Sequence, residues 1–154
     1  MQITKELLKE KSACADGYRW FLEKFPEGGE YQAVLDALCE DDRLDDAKWL
    51  LGKFGAMDTV FEAESIVGRK HFVFAGRIAV SGKIVVSGFL VAGSGIEAGW
   101  GIKAGEGIEA GDDFGIFAGI RIRISRWSFD AVVRAKMPPK NLISGKFEAI
   151  EEES

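Results

Sequence analysis

The chain has 154 residues, 47% of them hydrophobic and 29% charged, which suits one globular domain or two small modules with a shared core. A net charge of -5 and a pI near 5.0 argue against a general nucleic-acid binder, which needs an excess of lysine and arginine, and fit a partner with a basic surface. Met1 to Lys11 is too charged for a signal peptide, and the longest nearly apolar run, Ile84 to Ile96, is too short and glycine-rich to span a bilayer. A cytoplasmic protein with no membrane association is expected.

Residues 1–55 predict a small bundle of four short amphipathic helices. Thr4 caps a first helix through Lys11, and Ser12 caps a second that ends near Phe25, before Pro26 and the Gly28-Gly29 pair. Tyr18, Phe21, Leu22 and Phe25 form one face of that second helix, and Tyr31, Val34, Leu35 and Leu38 repeat the spacing in a third. A fourth helix, near Arg43 to Phe54, gathers Leu44, Ala47, Leu51 and Phe54 and stops at Gly55. Cys14 and Cys39 lack metal-ligand spacing and read as buried free thiols of a reducing compartment. The acidic cluster Glu40, Asp41, Asp42, Asp45 and Asp46 lacks the ligand spacing and turn glycine of a calcium loop, so it reads as a solvated helix junction and no metal is expected.

From residue 56 to 124 the pattern changes. One apolar residue returns every six positions, at Ile66, Phe72, Ile78, Ile84, Leu90, Ile96, Ile102, Ile108, Phe114 and Ile120, with chance odds of roughly one in a few hundred. A second inward position follows two residues later, at Phe74, Val80, Val86, Ala92, Ala98, Ala104, Ala110, Ile116 and Ile122. Apolar, polar, apolar is a short strand, and the glycines between such triplets predict tight corners in backbone conformations that a Cβ disfavours. Three hexads per triangular coil stack residues eighteen apart, placing Ile66 under Ile84, Ile102 and Ile120, and Ile78 under Ile96 and Phe114. The expected fold is therefore α+β: a helical bundle followed by a short single-stranded β-helix, or β-solenoid. The bundle is expected to pack on one open end of the solenoid, where it would cover apolar core and strand edges.

After Ile124 the hexad fails at Arg126. Residues 125–154 predict a C-terminal strand cap: an irregular strand from Trp127 to Lys136, a rigid turn at Pro138-Pro139, and a last strand over Asn141 to Ile150. Glu151 to Ser154 reads as a solvated acidic tail.

The run Gly99 to Ala110, two copies of Gly-x-Gly-Ile-x-Ala, resembles glycine-rich repeats in uncharacterised bacterial and phage-borne proteins. Ala13 to Phe21, together with Trp49-Leu50-Leu51, resembles a short helical module at the N-termini of such proteins. The resemblance carries no catalytic motif. It implies a bacterial or mobile-element protein that binds and blocks or adapts a bacterial protein, for example a host-defence component.

Hexapeptide repeats are also similar to those of acyltransferases, which usually carry a histidine base at a subunit boundary. The only histidine, His71, has no carboxylate partner in sequence, and no loop is long enough to close over a cofactor, so no catalytic residue and no cofactor are expected. Binding is expected instead at Trp100, a corner residue whose equivalents are Gly82, Gly88, Ser94, Glu106 and Asp112, and at Trp20, which lies off its helix's apolar face and would dock the bundle onto the solenoid. The polar residues of the repeat, Glu97, Glu106 and Glu109, complete the expected partner surface. Arg121, Arg123 and Arg126 form a basic stripe read as pairing within the protein. The alternative reading is a bactofilin-like subunit that self-associates through solenoid ends or edges.

Overall fold

The computed structural model describes residues 1–111, 114–122, 126, 130–136 and 138–150. The chain divides into two compact units, Met1–Phe54 and Gly55–Ser154.

The first unit contains α1 (Lys5–Glu10), α2 (Ala15–Lys24), α3 (Tyr31–Glu40) and α4 (Leu44–Phe54). It also holds an antiparallel pair of two-residue strands, β1 (Gln2–Ile3) and β2 (Gly29–Glu30), which the sequence pattern did not announce. Thr4 caps α1 as expected, its hydroxyl accepting from the Leu7 N–H at 3.2 Å. Ser12 does not cap α2. It adopts a left-handed φ of 62°, and the Ala13 N–H reaches back to the Leu8 carbonyl at 3.0 Å, so Ser12 closes α1 instead. Cys14 is the N-cap of α2, with its Sγ accepting from Gly17 N–H at 3.4 Å.

The core of this unit is built from Ile3, Leu8, Phe21, Tyr31, Val34, Leu35, Leu38, Ala47 and Leu50. The face expected of α3 is buried throughout. On α2 only Phe21 of the expected four is fully buried, and Leu22 is exposed. On α4 the buried stripe is Ala47 and Leu50, because that helix turns Leu50 inward and leaves Leu51 half-buried. Burial of Tyr31 raises its hydroxyl pKa to about 12 by desolvating the phenolate. The thiols are not buried as expected: Cys14 is exposed and Cys39 half-buried, and neither is in a disulfide.

The second unit is a three-sided solenoid of parallel strands. One sheet runs β3 (Val60–Ala63), β6 (Arg77–Val80), β9 (Gly95–Ala98), β12 (Gly115–Phe117) and β14 (Leu142–Ser144). A second runs β4 (Ile66–Arg69), β7 (Ile84–Val86), β10 (Ile102–Ala104), β13 (Val132–Ala135) and β15 (Lys146–Ala149). The third has β5 (Phe72–Phe74), β8 (Phe89–Ala92) and β11 (Gly107–Ala110). Ile66, Ile84 and Ile102 stack in one column, Phe72, Leu90 and Ile108 in another, and Ile78 pairs with Ile96 in the remaining one, all at the eighteen-residue interval expected. At the first coil Phe61 packs edge-on to Phe72 (5.0 Å) and Phe74 (5.7 Å), and the Arg69 guanidinium lies 4.4 Å from the Phe72 ring.

The glycines of the repeat serve a different purpose from the one expected. Gly99 and Gly105 do not have positive φ. A Cβ on Gly99 would collide with the carbonyl oxygen of Ser81, and one on Gly105 with that of Ser87, each eighteen residues earlier. Stacked corners approach so closely that only hydrogen fits.

The hexad register fails earlier than the sequence indicates. Ile116, expected over Ala98, pairs instead with Ile96: Gly111 still stands over Gly93, eighteen residues earlier, whereas Gly115 (φ 74°) pairs with Gly95, a slip of two residues. Phe114, expected inside, is 50% exposed, and its ring lies 5.0 Å from the Arg77 guanidinium. Ile120, expected over Ile102, is 52% exposed, and Val133 takes that place. The C-terminal strands then continue two of the sheets: β13 pairs with β10 and β15, and β14 pairs with β12. The last segment is two strands, not one, broken at Gly145 (φ 136°). Expectations for Asp112, Arg123, Ile124, Trp127 and the tail 151–154 fall outside the described residues.

Candidate functional site

Trp100 projects from a corner of the solenoid, with 48% of its surface exposed. Its backbone is fixed on both sides, because its N–H donates to the Gly82 carbonyl and its own carbonyl accepts from Gly119 N–H, each at 3.0 Å. The ring therefore stands on a rigid base. It borders a shallow depression of about 690 Å³ along the second sheet, edged by Lys83, Lys103, Arg134 and Asp130. Register places Lys103 between Val85 and Arg134, and Arg134 pairs with Glu148 at 3.1 Å. Aromatic surface and mixed charge thus lie side by side around Trp100.

The three glutamates expected beside Trp100 are not brought together. Glu97 lies on β9 of the first sheet and pairs with Arg77 at 3.3 Å. Glu106 lies beyond β10 and pairs with Lys136 at 2.9 Å. Glu109 is exposed on β11 of the third sheet, opposite Val91. A coil carries successive hexads to successive faces, so residues at one repeat position in adjacent hexads do not share a surface. Arg134 was missed because no sequence period announces that β13 continues the second sheet, whereas Lys103 stands within the regular repeat, midway between Glu97 and Glu109.

Trp20 is half-buried within the helical unit. Its Nε1–H donates to Asp41 Oδ2 at 2.7 Å, and Arg43 lies 5.9 Å from its ring. That indole bond, with the nearby Lys24 ammonium (3.4 Å), holds the Asp41 carboxyl below its usual range. Arg43 bridges Asp16 (2.6 Å) and Asp46 (2.8 Å), and the bond to Asp16 above all keeps its guanidinium charged. Asp41 and Asp46 of the acidic cluster are therefore partners of local cations, where a solvated helix junction was expected, and Asp45 and Asp46 stand in the first turn of α4.

Trp20 also walls a cavity of about 280 Å³ inside the first unit, together with Trp49, Phe21, Leu8, Leu38 and Leu50. Ser12, Cys14, Asp45 and Asp46 supply its polar lining. Sequence reading missed this pocket, although the alternation of aromatic and acidic residues on α2 and α4 was visible.

His71 has a structural partner. Its Nδ1 accepts from the Phe89 N–H at 3.0 Å, and its ring lies 6.0 Å from that of Phe89. Arg126 pairs with Asp130 (3.1 Å), while Arg121 is exposed. Among the described residues no group of three or more His, Cys, Asp or Glu is disposed to hold a metal ion, and no helix is long and apolar enough to cross a membrane.

No curated protein and no solved structure matches the chain. Residues 1–55 match the family described as the YdhT N-terminal domain, and that description carries no activity.

Proposed function

We propose that this is a non-enzymatic protein-binding protein of the bacterial cytoplasm, of phage or mobile-element origin, that inhibits or adapts a bacterial protein. The observation that carries the reading is Trp100: a half-exposed indole on a backbone bonded at both sides, beside a depression that mixes charge with apolar surface. Large aromatic residues on rigid supports lose little entropy on binding and anchor interfaces. The only histidine has its Nδ1 acceptor occupied by a backbone N–H, which favours a structural role over that of a general base.

The test is affinity purification from bacterial lysate with tagged wild-type protein, Trp100→Ala and Trp20→Ala, read by mass spectrometry alongside solution mass. One stoichiometric partner, lost with Trp100→Ala while circular dichroism is unchanged, is the expected result. A partner that survives Trp100→Ala, or none at all, overturns the reading.

A second reading, self-assembly through a solenoid end, is favoured by the exposure of Ile143 (65%) on β14, the last strand of its sheet. Mass that rises with concentration, and falls back with Ile143→Glu, would support it.

A further inference from the structure

The geometry points to the helical unit's cavity as a docking groove for a basic amphipathic helix of the partner, an inference that rests on the protein-binding reading and adds a second contact to it. Size and shape come first. A cavity of about 280 Å³ is nearly twice the ~150 Å³ that holds one benzene ring, so it accepts two apolar side chains of a helix, spaced three or four residues apart. Its walls are suited to that load. Trp20 and Trp49 face it with Phe21, Leu38 and Leu50, and Trp20 is held in place by its bond to Asp41 and by the nearby Arg43.

Charge then selects the occupant. Residues 1–54 contain eight Lys/Arg against twelve Asp/Glu, so this unit carries -4 of the chain's net -5. Asp45, exposed, and Asp46, whose carboxylate already pairs with Arg43 at 2.8 Å, line the pocket, and both belong to the first turn of α4, so Asp45 supplies the charge a ligand meets. An apolar pocket with acidic residues in its lining, in an acidic unit, matches a helix whose apolar stripe is flanked by lysine or arginine. An acidic helix would meet repulsion at the same place.

The experiment uses the full chain, labelled with ¹⁵N, and its tryptophan indole resonances, assigned by single Trp→Phe variants. The probe is a synthetic helical peptide of about 14 residues with leucine at i, i+3, i+4 and i+7 and lysine elsewhere. Two control peptides replace lysine by glutamate or by glutamine. Saturable shifts of the Trp20 and Trp49 indoles, with that of Trp100 unmoved, are expected from the lysine peptide alone. Asp45→Asn should weaken its binding about threefold to tenfold, and raised salt should do the same. Ala13→Phe, which fills the cavity from its lining, should abolish the shifts while leaving the rest of the spectrum in place.

No shift with the lysine peptide overturns the inference, as does binding that Ala13→Phe leaves intact. Equal binding of the glutamine peptide also overturns it, in favour of a purely apolar ligand. Each failure leaves co-purification through Trp100 standing. Conversely, peptide binding without any co-purified partner sinks the broader reading and leaves the groove.

Discussion

Ile120 and Val133 compete on paper for one place, above Ile102 in the second sheet. The hexad repeat assigns it to Ile120, whereas the fold gives it to Val133, which is fully buried while Ile120 is 52% exposed. Alanine substitution separates them. Val133→Ala removes two buried carbons at about 0.8 kcal/mol each and leaves part of their volume as cavity at ~24 cal/mol per Å³, which together cost about 2.3 kcal/mol. Ile116→Ala removes three carbons from a residue with no exposed surface beside Ile96, at about 3.4 kcal/mol on the same reckoning. Ile120→Ala takes away carbons already half in water and leaves no closed void, so about 1 kcal/mol is expected. Thermal unfolding in a Trp20→Phe, Trp49→Phe background makes the fluorescence report on residues 55–154 alone. For a unit of this size each kcal/mol lowers Tm by about 4 °C or more, so Ile116→Ala should fall by about 14 °C. An Ile120→Ala loss equal to or larger than that of Val133→Ala would refute the register assigned here.

Three further outcomes are expected. Gly52, exposed within α4 with open space where a Cβ would stand, should tolerate alanine and gain about 0.5–1 kcal/mol, whereas Gly99→Ala, aimed at the Ser81 carbonyl, should disrupt the solenoid; thermal circular dichroism distinguishes them. Tyr31 should make the helical unit alkali-sensitive. Its pKa is higher folded than unfolded, so its contribution is complete below about pH 10 and about 2–3 kcal/mol is lost as pH rises toward 12, a loss that Tyr31→Phe should remove from the pH profile of unfolding. His71→Ala leaves the Phe89 N–H without that acceptor and should cost about 1–2 kcal/mol in chemical denaturation; unchanged stability would contradict the structural role of the imidazole.

The α+β class, the four helices and the regular coils were legible because each rests on local pattern, whereas the β1–β2 pair and the break at Gly145 were not. The face of α3 comes from one helical period, and the columns Ile66–Ile84–Ile102 and Phe72–Leu90–Ile108 come from a repeat whose coils are equal in length. The corner glycines were legible as a requirement but not as a cause. Only stacking reveals that the constraint is a carbonyl oxygen of the coil below, with no positive φ involved.

The candidate sites were less legible. Trp100 could be read as projecting because the equivalent corners carry small or polar residues, but its neighbours could not be named. Glu97, Glu106 and Glu109 share a repeat position or flank it, and the triangular coil sends them to different sides. The pocket beside Trp20 and Trp49 depends on how α2 and α4 rotate about their axes, which turned Leu50 inward against the expected Leu51.

The sequence by itself determined the parts of this protein in which every residue's partner lies one helical turn or one eighteen-residue coil away. Where the interval breaks, at Ile116 over Ile96 and Val133 over Ile102, tertiary structure alone decided which residue fills the column. A stacked coil selects its next strand by fit against the strand below, and that selection reaches across whatever length of chain intervenes.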